Sequence, residues 1–354
     1  MKKIVMTGGG TAGHVTPNIA LLPSLKKEGY EISYIGSYDG IEKGLMEAQN
    51  VTYYGISSGK LRRYHSWKNF SDPFKVIKGF FQARHLLGKI KPDVVFSKGG
   101  FVSVPVVMAA KTKGIPAIIH ESDLTPGLAN KLAIPNATKV CCNFPETIPY
   151  LPSGKAVLTG SPIRQELLHG SKEKAMKFCG FRNDLPVLMI MGGSIGSVYI
   201  NNAVRGCIDD LLKKYQIIHL CGKGNLDYSL KNKTGYAQFE YISEELPDLF
   251  AAADIVIARA GANSICELLA LRKPNILIPL GLNASRGDQI LNAKSFEKQG
   301  FSVVLEEEKV TSDTLKSTLD EVMKNRQKYI DAMENSGQMD AIGTIMGLIK
   351  DVTK

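Results

Sequence analysis

At 354 residues the chain is long enough for about two domains, and 44% hydrophobic against 22% charged residues excludes a disordered or fibrous polymer. No apolar run approaches the ~18–20 residues of a membrane-spanning helix, and the opening MKKIVMTGGG is too briefly apolar for a signal peptide. The formal charge of +10 is unevenly placed, with nine Lys/Arg between residues 60 and 91 against Asp72 alone. Six cysteines (141, 142, 179, 207, 221, 266) form no C-x-x-C, which suits buried free thiols in a reducing cytoplasm and leaves no zinc site expected.

In chain order, residues 2–7 read as a strand, followed by Gly8-Gly-Gly-Thr-Ala-Gly13-His14 and a helix over about 17–28. Gly8-x-Gly10-x-x-Gly13 matches the dinucleotide fingerprint, but that fingerprint also needs an acid closing the second strand to hold the ribose. Here the strand over 31–35 ends in Gly36-Ser37, and Asp39 comes too late. What survives is a loop whose backbone can approach a phosphate or sugar, with His14 at the helix entrance. The basic segment follows and also holds Trp67, Tyr64, Phe70, Phe74, Phe80 and Phe81. Basic plus aromatic composition points to an anionic surface, either lipid or nucleic acid. Within 74–87 the apolar positions Phe74, Ile77, Phe80, Phe81 and Leu87 approximate one helical face. Part of that face is expected to pack on a sheet, leaving an apolar patch inside a basic ring.

Residues 93–97 form an apolar strand, and Lys98-Gly-Gly-Phe-Val-Ser-Val-Pro105 is a second glycine loop into a helix. The strand over 117–120 opens into His120-Glu-Ser-Asp-Leu-Thr-Pro-Gly127, so polar residues gather at successive strand ends. Strands over 139–143 and 156–159 precede Gly160-Ser-Pro-Ile-Arg164, whose composition suits a domain boundary.

The alternation then restarts. A strand over 187–191 meets Gly192-Gly-Ser194-Ile-Gly196-Ser and a helix over about 198–214. Strands over 217–221 and 238–241 and a helix around 246–253 lead to the βαβ unit of residues 254–289. There a strand over 255–258 turns through Arg259-Ala-Gly-Ala262 into a helix beginning near Asn263 or Ser264, with another strand over 275–279. A helix N-terminus beside a strand end is an anion site. Glu267 could take two vicinal ribose hydroxyls, or Ser264-x-x-Glu267 could be a capping box. Glu306–Glu308 reads as a solvated turn, and residues 311–333 as amphipathic helix. No D-x-D occurs to suggest a metal-bridged diphosphate, so no metal or other cofactor is expected. The class is α/β: two doubly wound Rossmann-like domains facing across a cleft.

With Gly9-Gly-Thr-Ala-Gly-His14, Gly99-Gly-Phe-Val-Ser-Val-Pro105, His120-Glu-x-x-x-x-Pro-Gly127, Gly160-x-Pro-x-Arg164, Gly192-Gly-Ser194, Arg259-x-Gly-Ala262-x-Ser-x-x-Glu267 and Gln289 in this order, the chain resembles, end to end, the MurG-type UDP-N-acetylglucosamine–lipid I glycosyltransferases of glycosyltransferase family 28. The resemblance implies a GT-B fold with an acceptor- and membrane-facing domain over 1–162 and a UDP-sugar domain over 163–337, the helix over 338–354 packing back on the first. It implies that Glu267 takes the ribose and Ile242 the uracil edge, and that Ser194 and Arg164 hold the diphosphate. Gln289 and the turn of Ala262, Asn263 and Ser264 would read the sugar, with Ile265 and Cys266 beside it also binding substrate, while Thr11, Ala12 and Gly13 close on the donor. His14 is the candidate base or else a purely structural loop residue, with Asp123 or Glu121 as substitutes. Asp123, a sugar contact by the same resemblance, stands where the family often has Asn, and Ile195 where it often has Gln.

The implied chemistry is coherent from below. One-step inverting transfer to the muramyl 4-hydroxyl of lipid I, giving lipid II, needs a base and a stabilised leaving diphosphate. Helix N-termini, Ser194 and Arg164 would supply the latter. The implied partners are UDP-N-acetylglucosamine, lipid I, the anionic inner leaflet and other cell-wall synthesis proteins, at the cytoplasmic face of the bacterial membrane as a peripheral protein. Same-fold alternatives are a diacylglycerol glycosyltransferase and a UDP-N-acetylglucosamine 2-epimerase. A nucleic-acid-binding protein would leave the glycine-loop motifs unexplained, so no nucleic acid is expected.

Overall fold

Short apolar runs, each closed by a glycine or polar loop, become parallel strands joined by helices. The computed structural model describes residues 2–59, 68–182, 184–193, 195–282, 287–337 and 340–353, the side chains of 68–73 excepted. Two units result, Met1–Arg164 with Asp340–Lys354, and Gln165–Met339.

The N-terminal unit contains β1 (Lys3–Thr7), β2 (Glu31–Ser37), β3 (Thr52–Ile56), β4 (Val94–Ser97), β5 (Ala117–Glu121), β6 (Lys139–Cys142) and β7 (Ala156–Leu158). All pair in parallel, in the order β3-β2-β1-β4-β5-β6-β7. Its helices are α1 (Thr16–Lys27), α2 (Ile41–Glu47), α3 (Lys68–Ile90), α4 (Ser103–Thr112) and α5 (Leu128–Ala133). Both sheet faces are covered, which explains why the strands read as unbroken apolar runs. Val5, Ile35, Val95 and Ile119 pack on one face with Ala83 and Leu87 of α3 and Val106 and Val107 of α4. Ile4, Met6, Tyr34 and Phe96 pack on the other with Leu21 and Leu25 of α1. Ile345, Met346 and Ile349 of the C-terminal helix Ala341–Val352 complete that second face.

The C-terminal unit repeats the scheme with β8 (Val187–Met191), β9 (Gln216–Leu220), β10 (Tyr236–Phe239), β11 (Ile255–Ala258), β12 (Asn275–Leu277) and β13 (Val303–Val304). The order is β10-β9-β8-β11-β12-β13, again all parallel. Its helices are α6 (Lys172–Cys179), α7 (Val198–Gly206), α8 (Ile208–Leu211), α9 (Leu246–Ala252), α10 (Ala262–Ala270), α11 (Asp288–Lys298), α12 (Ser312–Lys324) and α13 (Arg326–Glu334). The single helix expected over 198–214 is broken, because Gly206 ends α7 and Cys207 leaves helical geometry at φ −126°. The edge strands β3 and β13 were not legible as strands. In each sheet the strand order reverses beside the first strand, at β1/β4 and at β8/β11. Doubly wound folds bind ligands at such reversals, outside the carboxyl ends of the strands.

Candidate functional site

In the C-terminal unit, two loops leave adjacent strands at that reversal. In the loop after β8, Gly196 stands at φ +81° and is pressed so closely on Cys221 that a Cβ there would collide with the Cys221 carbonyl. Only glycine meets both conditions. Ser197 then caps α7, its Oγ accepting from the Ile200 N–H at 3.3 Å. Ser194 lies outside the described residues. From β11 the chain passes Arg259 to Gly261, and α10 starts at Ala262 with Gly261 as its extended N-cap and no side-chain cap.

That start overturns the capping box. The helix begins earlier than the Ser264 signal implied, so Ser264 already has helical neighbours on both sides and Glu267 lies in the second turn. Burial limits how two of the expected binding residues can meet a ligand. Ile265 and Cys266 face the core, leaving only their main chain for a ligand. Ala262 is buried as well, whereas Asn263, Ser264 and Glu267 are half-buried. Gln289, at the start of α11, accepts the Leu280 N–H at 3.1 Å, joining this helix to the exit of β12. Ile242 is half-buried just beyond β10.

A buried arginine locks the two loops together. Arg259 is 8% exposed, and its guanidinium donates to Ser197 Oγ at 2.7 Å and to the carbonyls of Ile278 at 3.1 Å and Pro279 at 3.3 Å. It also pairs with Glu307, whose other oxygen accepts the Gly281 N–H at 3.2 Å. The acidic 306–308 segment is therefore not simply a solvated turn: Glu306 pairs at the surface with Lys309, but Glu307 neutralises a buried cation. No local pattern announced this pair.

In the N-terminal unit, the first glycine loop runs into a tight turn over Ala12–His14 before α1. Thr11 and Ala12 are exposed, Gly13 and His14 half-buried. Thr11 Oγ1 lies 3.1 Å from His14 Nδ1. An Nδ1–H donating to Thr11 would leave Nε2 as the basic nitrogen. Burial, and then the Lys98 charge, lower the His14 pKa, so the neutral imidazole is favoured. Lys98 carries no sequence signal beyond its place at a strand end, and His120 opens one of the family motifs without a role of its own there. Lys98 Nζ donates to His120 Nδ1 and Ser122 Oγ, each at 2.7 Å, and His120 Nε2–H donates to the Gly160 carbonyl at 2.9 Å. With the ammonium as donor, His120 is neutral, and burial holds its pKa well below the usual value.

The loop after β5 separates the two reserve carboxylates. Glu121 is buried and accepts from the N–H groups of Asp123 and Gly127, both at 3.0 Å, and from Asn130 Nδ2 at 2.8 Å. It shapes the loop, while burial raises its pKa against the pull of Asn130. Asp123 is half-buried on that loop. Arg164 is half-buried at the end of the unit, its Nε enclosed without a hydrogen-bond partner among the described residues.

The α3 helix divides its apolar residues between two stripes. Ala83, Leu87 and Ile90 are buried, and Phe80 packs partly against them. Phe74, Ile77 and Phe81 stand 75%, 54% and 64% exposed, with Lys75, Lys78 and Arg84 also exposed. Phe81, Arg84, His85, Gly88, Lys89 and Lys113 line an open groove of about 460 Å³. Trp67 and residues 60–66 lie outside the described residues. Among the described residues, no helix is long and apolar enough to cross a membrane.

Comparison with known proteins accounts for both units. Residues 4–142 match the glycosyltransferase family 28 N-terminal domain, and residues 187–345 its C-terminal domain. The chain is 65% identical, over 100% of both chains, to a protein of Lachnospira eligens named UDP-N-acetylglucosamine–N-acetylmuramyl-(pentapeptide) pyrophosphoryl-undecaprenol N-acetylglucosamine transferase. A Lachnoclostridium phytofermentans protein of the same name is 64% identical over 99% of each chain. The crystal structure of Acinetobacter baumannii MurG aligns with a TM-score of 0.77 at 25% identity, covering 99% of this chain and 100% of that one. A Neisseria meningitidis UDP-GlcNAc 2-epimerase bound to UDP-GlcNAc shares the fold at a TM-score of 0.64 and 13% identity, covering 99% and 100%.

Proposed function

The chain belongs to glycosyltransferase family 28, and from that premise we propose that it transfers N-acetylglucosamine from UDP to the muramyl 4-hydroxyl of lipid I, forming lipid II. The observation that carries this reading is the pair of loops at the β8/β11 reversal, with the glycine loop before α7 and the N-terminus of α10 side by side. Such an arrangement presents main-chain N–H groups and the positive ends of helix dipoles to a diphosphate. Glu267 takes the ribose hydroxyls, main-chain atoms at Ile242 meet the uracil edge, and Gln289 with Asn263 and Ser264 reads the sugar. Ser194 and Arg164 hold the diphosphate, and Thr11, Ala12 and Gly13 close on the donor.

In the transfer, the acceptor oxygen forms its bond to the anomeric carbon as the bond from that carbon to the diphosphate oxygen breaks. The electron pair leaves with UDP, where N–H groups and cationic side chains stabilise the developing charge. The hydroxyl proton passes to Nε2 of His14, with Nδ1–H held by Thr11. Asp123 is the reserve group for this step, since Glu121 is committed to its loop.

The exposed Phe74, Ile77 and Phe81, flanked by Lys75, Lys78 and Arg84, suit peripheral binding to an anionic lipid surface, at the cytoplasmic leaflet where a nucleotide-sugar donor is available. The decisive assay supplies radiolabelled UDP-N-acetylglucosamine and a lipid I analogue. Labelled disaccharide lipid supports the reading. Label appearing instead in a free epimeric sugar, or in diacylglycerol, overturns it.

A further inference from the structure

The first glycine loop carries a nucleotide fingerprint at a strand-order reversal, yet the proposed function places the nucleotide in the other unit. A single side chain accounts for this. Glu42, from the first turn of α2, is fully buried. Its Oε2 accepts the Gly10 N–H at 3.2 Å, and its Oε1 accepts the Ser37 N–H at 3.0 Å and the Ser37 hydroxyl. Three glycines make room for it, because a Cβ on Gly9, Gly36 or Gly40 would collide with the Glu42 side chain. The surrounding loop is held as firmly. Tyr34 donates its hydroxyl to the Gly8 carbonyl at 2.8 Å, and Asn18 Nδ2 donates to the Thr7 carbonyl at 3.2 Å and to Tyr34 at 3.1 Å.

A carboxylate is kept in such a place only where donors compensate its lost hydration. The position it occupies, at the amide of a glycine loop and the end of β2, is where this fold otherwise meets a ligand's phosphate or ribose. We propose that Glu42 is an internal anion that fills the nucleotide position of the N-terminal unit, barring nucleotide there and positioning the segment from Gly10 to His14. The charged and titratable groups facing His14 are Lys98 from the end of β4 and Glu42 from α2. Tyr34 and Tyr53 face Glu42 and stay neutral, their pKa values raised chiefly by burial.

The positioning half of this inference rests on the reading of His14 as the base, so its test includes a readout that does not depend on activity. Glu42→Gln keeps the size but sets an amide NH2 against either Gly10 N–H or the Ser37 donors. In the full-length protein, kcat should fall at least ~10-fold while donor KM stays within ~2-fold. The NMR titration of His14, assigned by comparison with His14→Ala, should move to lower pH because a nearby negative charge is gone. Glu42→Ala opens the cradle, so added formate should restore part of kcat. Wild-type kcat with an unmoved His14 titration in Glu42→Gln overturns the proposal. A lowered kcat with an unmoved titration and no formate rescue leaves only a packing role and also overturns it. If Glu42→Ala does not fold, Glu42→Gln decides alone. If His14→Ala keeps full activity, the base assignment fails, while the titration still reads the influence of Glu42.

Discussion

Replacing Glu307 with alanine tests whether the C-terminal loops depend on a buried charge pair. The mutation strands Arg259, which is 8% exposed, with two carbonyls and the Ser197 hydroxyl but no counter-charge. Removing one partner of a buried pair costs ~3–5 kcal/mol. The Glu307 side chain retains 17% exposure, so water offsets part of the loss and the lower end of that range, ~3 kcal/mol, applies. At ~2–4 °C per kcal/mol for a unit of this size, melting of the C-terminal unit should drop by roughly 6–12 °C. Because Arg259 joins the 192–197 loop to the 259–262 turn, UDP affinity should fall as well. Differential scanning calorimetry with and without UDP, and titration calorimetry for affinity, read both effects. Glu307→Gln keeps an acceptor and should cost about half as much. An Arg259→Met, Glu307→Leu double variant should lose less than the two single losses combined, since no buried charge remains unpaired. If Glu307→Ala melts with wild type and binds UDP equally, the pair is not holding the loops and the reasoning fails.

Four further outcomes are expected. Glu267→Gln should weaken UDP binding by ~1.5–3 kcal/mol, or roughly 10–150-fold in Kd, with little change in melting because Gly261 occupies the cap position; an unchanged Kd excludes the ribose role. His14→Ala should lower kcat by ~10²-fold or more with donor affinity nearly intact. Since burial and Lys98 lower the His14 pKa from 6.5, wild-type kcat should be lost only as pH falls through that lowered value, and an acid limb above 6.5 in the pH profile would contradict it. Replacing Lys75, Lys78 and Arg84 by Glu should abolish low-salt co-sedimentation with phosphatidylglycerol or cardiolipin vesicles while sparing UDP binding, each cation contributing ~1 kcal/mol; unchanged sedimentation would place the lipid-binding surface elsewhere.

Much of the architecture was written locally. A strand closed by Gly8, Gly99 or Gly192 and followed by a helix needs only neighbouring residues to declare itself, because turn geometry and apolar run length are short-range properties. The ordered motifs, from Gly9–His14 to Glu267 and Gln289, were legible for the same reason. Where local signals competed, sequence reading went astray. Ser264 and Glu267 had capping-box spacing, but Gly261 already offered an extended cap and the helix started there. The edge strands β3 and β13 each pair on one side only, so they needed less of the continuous apolar run that marks a central strand.

What the tertiary structure alone decided is how polar groups distant in the chain satisfy one another. Arg259 and Glu307 are separated by 48 positions, and Gly10 and Glu42 by 32. Nothing in either segment marks its partner, since a charge is stabilised in the interior by whatever the fold brings within hydrogen-bond reach. The same holds for Lys98, whose neighbours His120 and Ser122 come from the next strand end. On α3 the composition allowed either apolar stripe to face the sheet. Ala83 and Leu87 won because Gly79 lets the helix approach the backbone at Ser57, where any larger residue would collide, and that left Phe74, Ile77 and Phe81 to the surface.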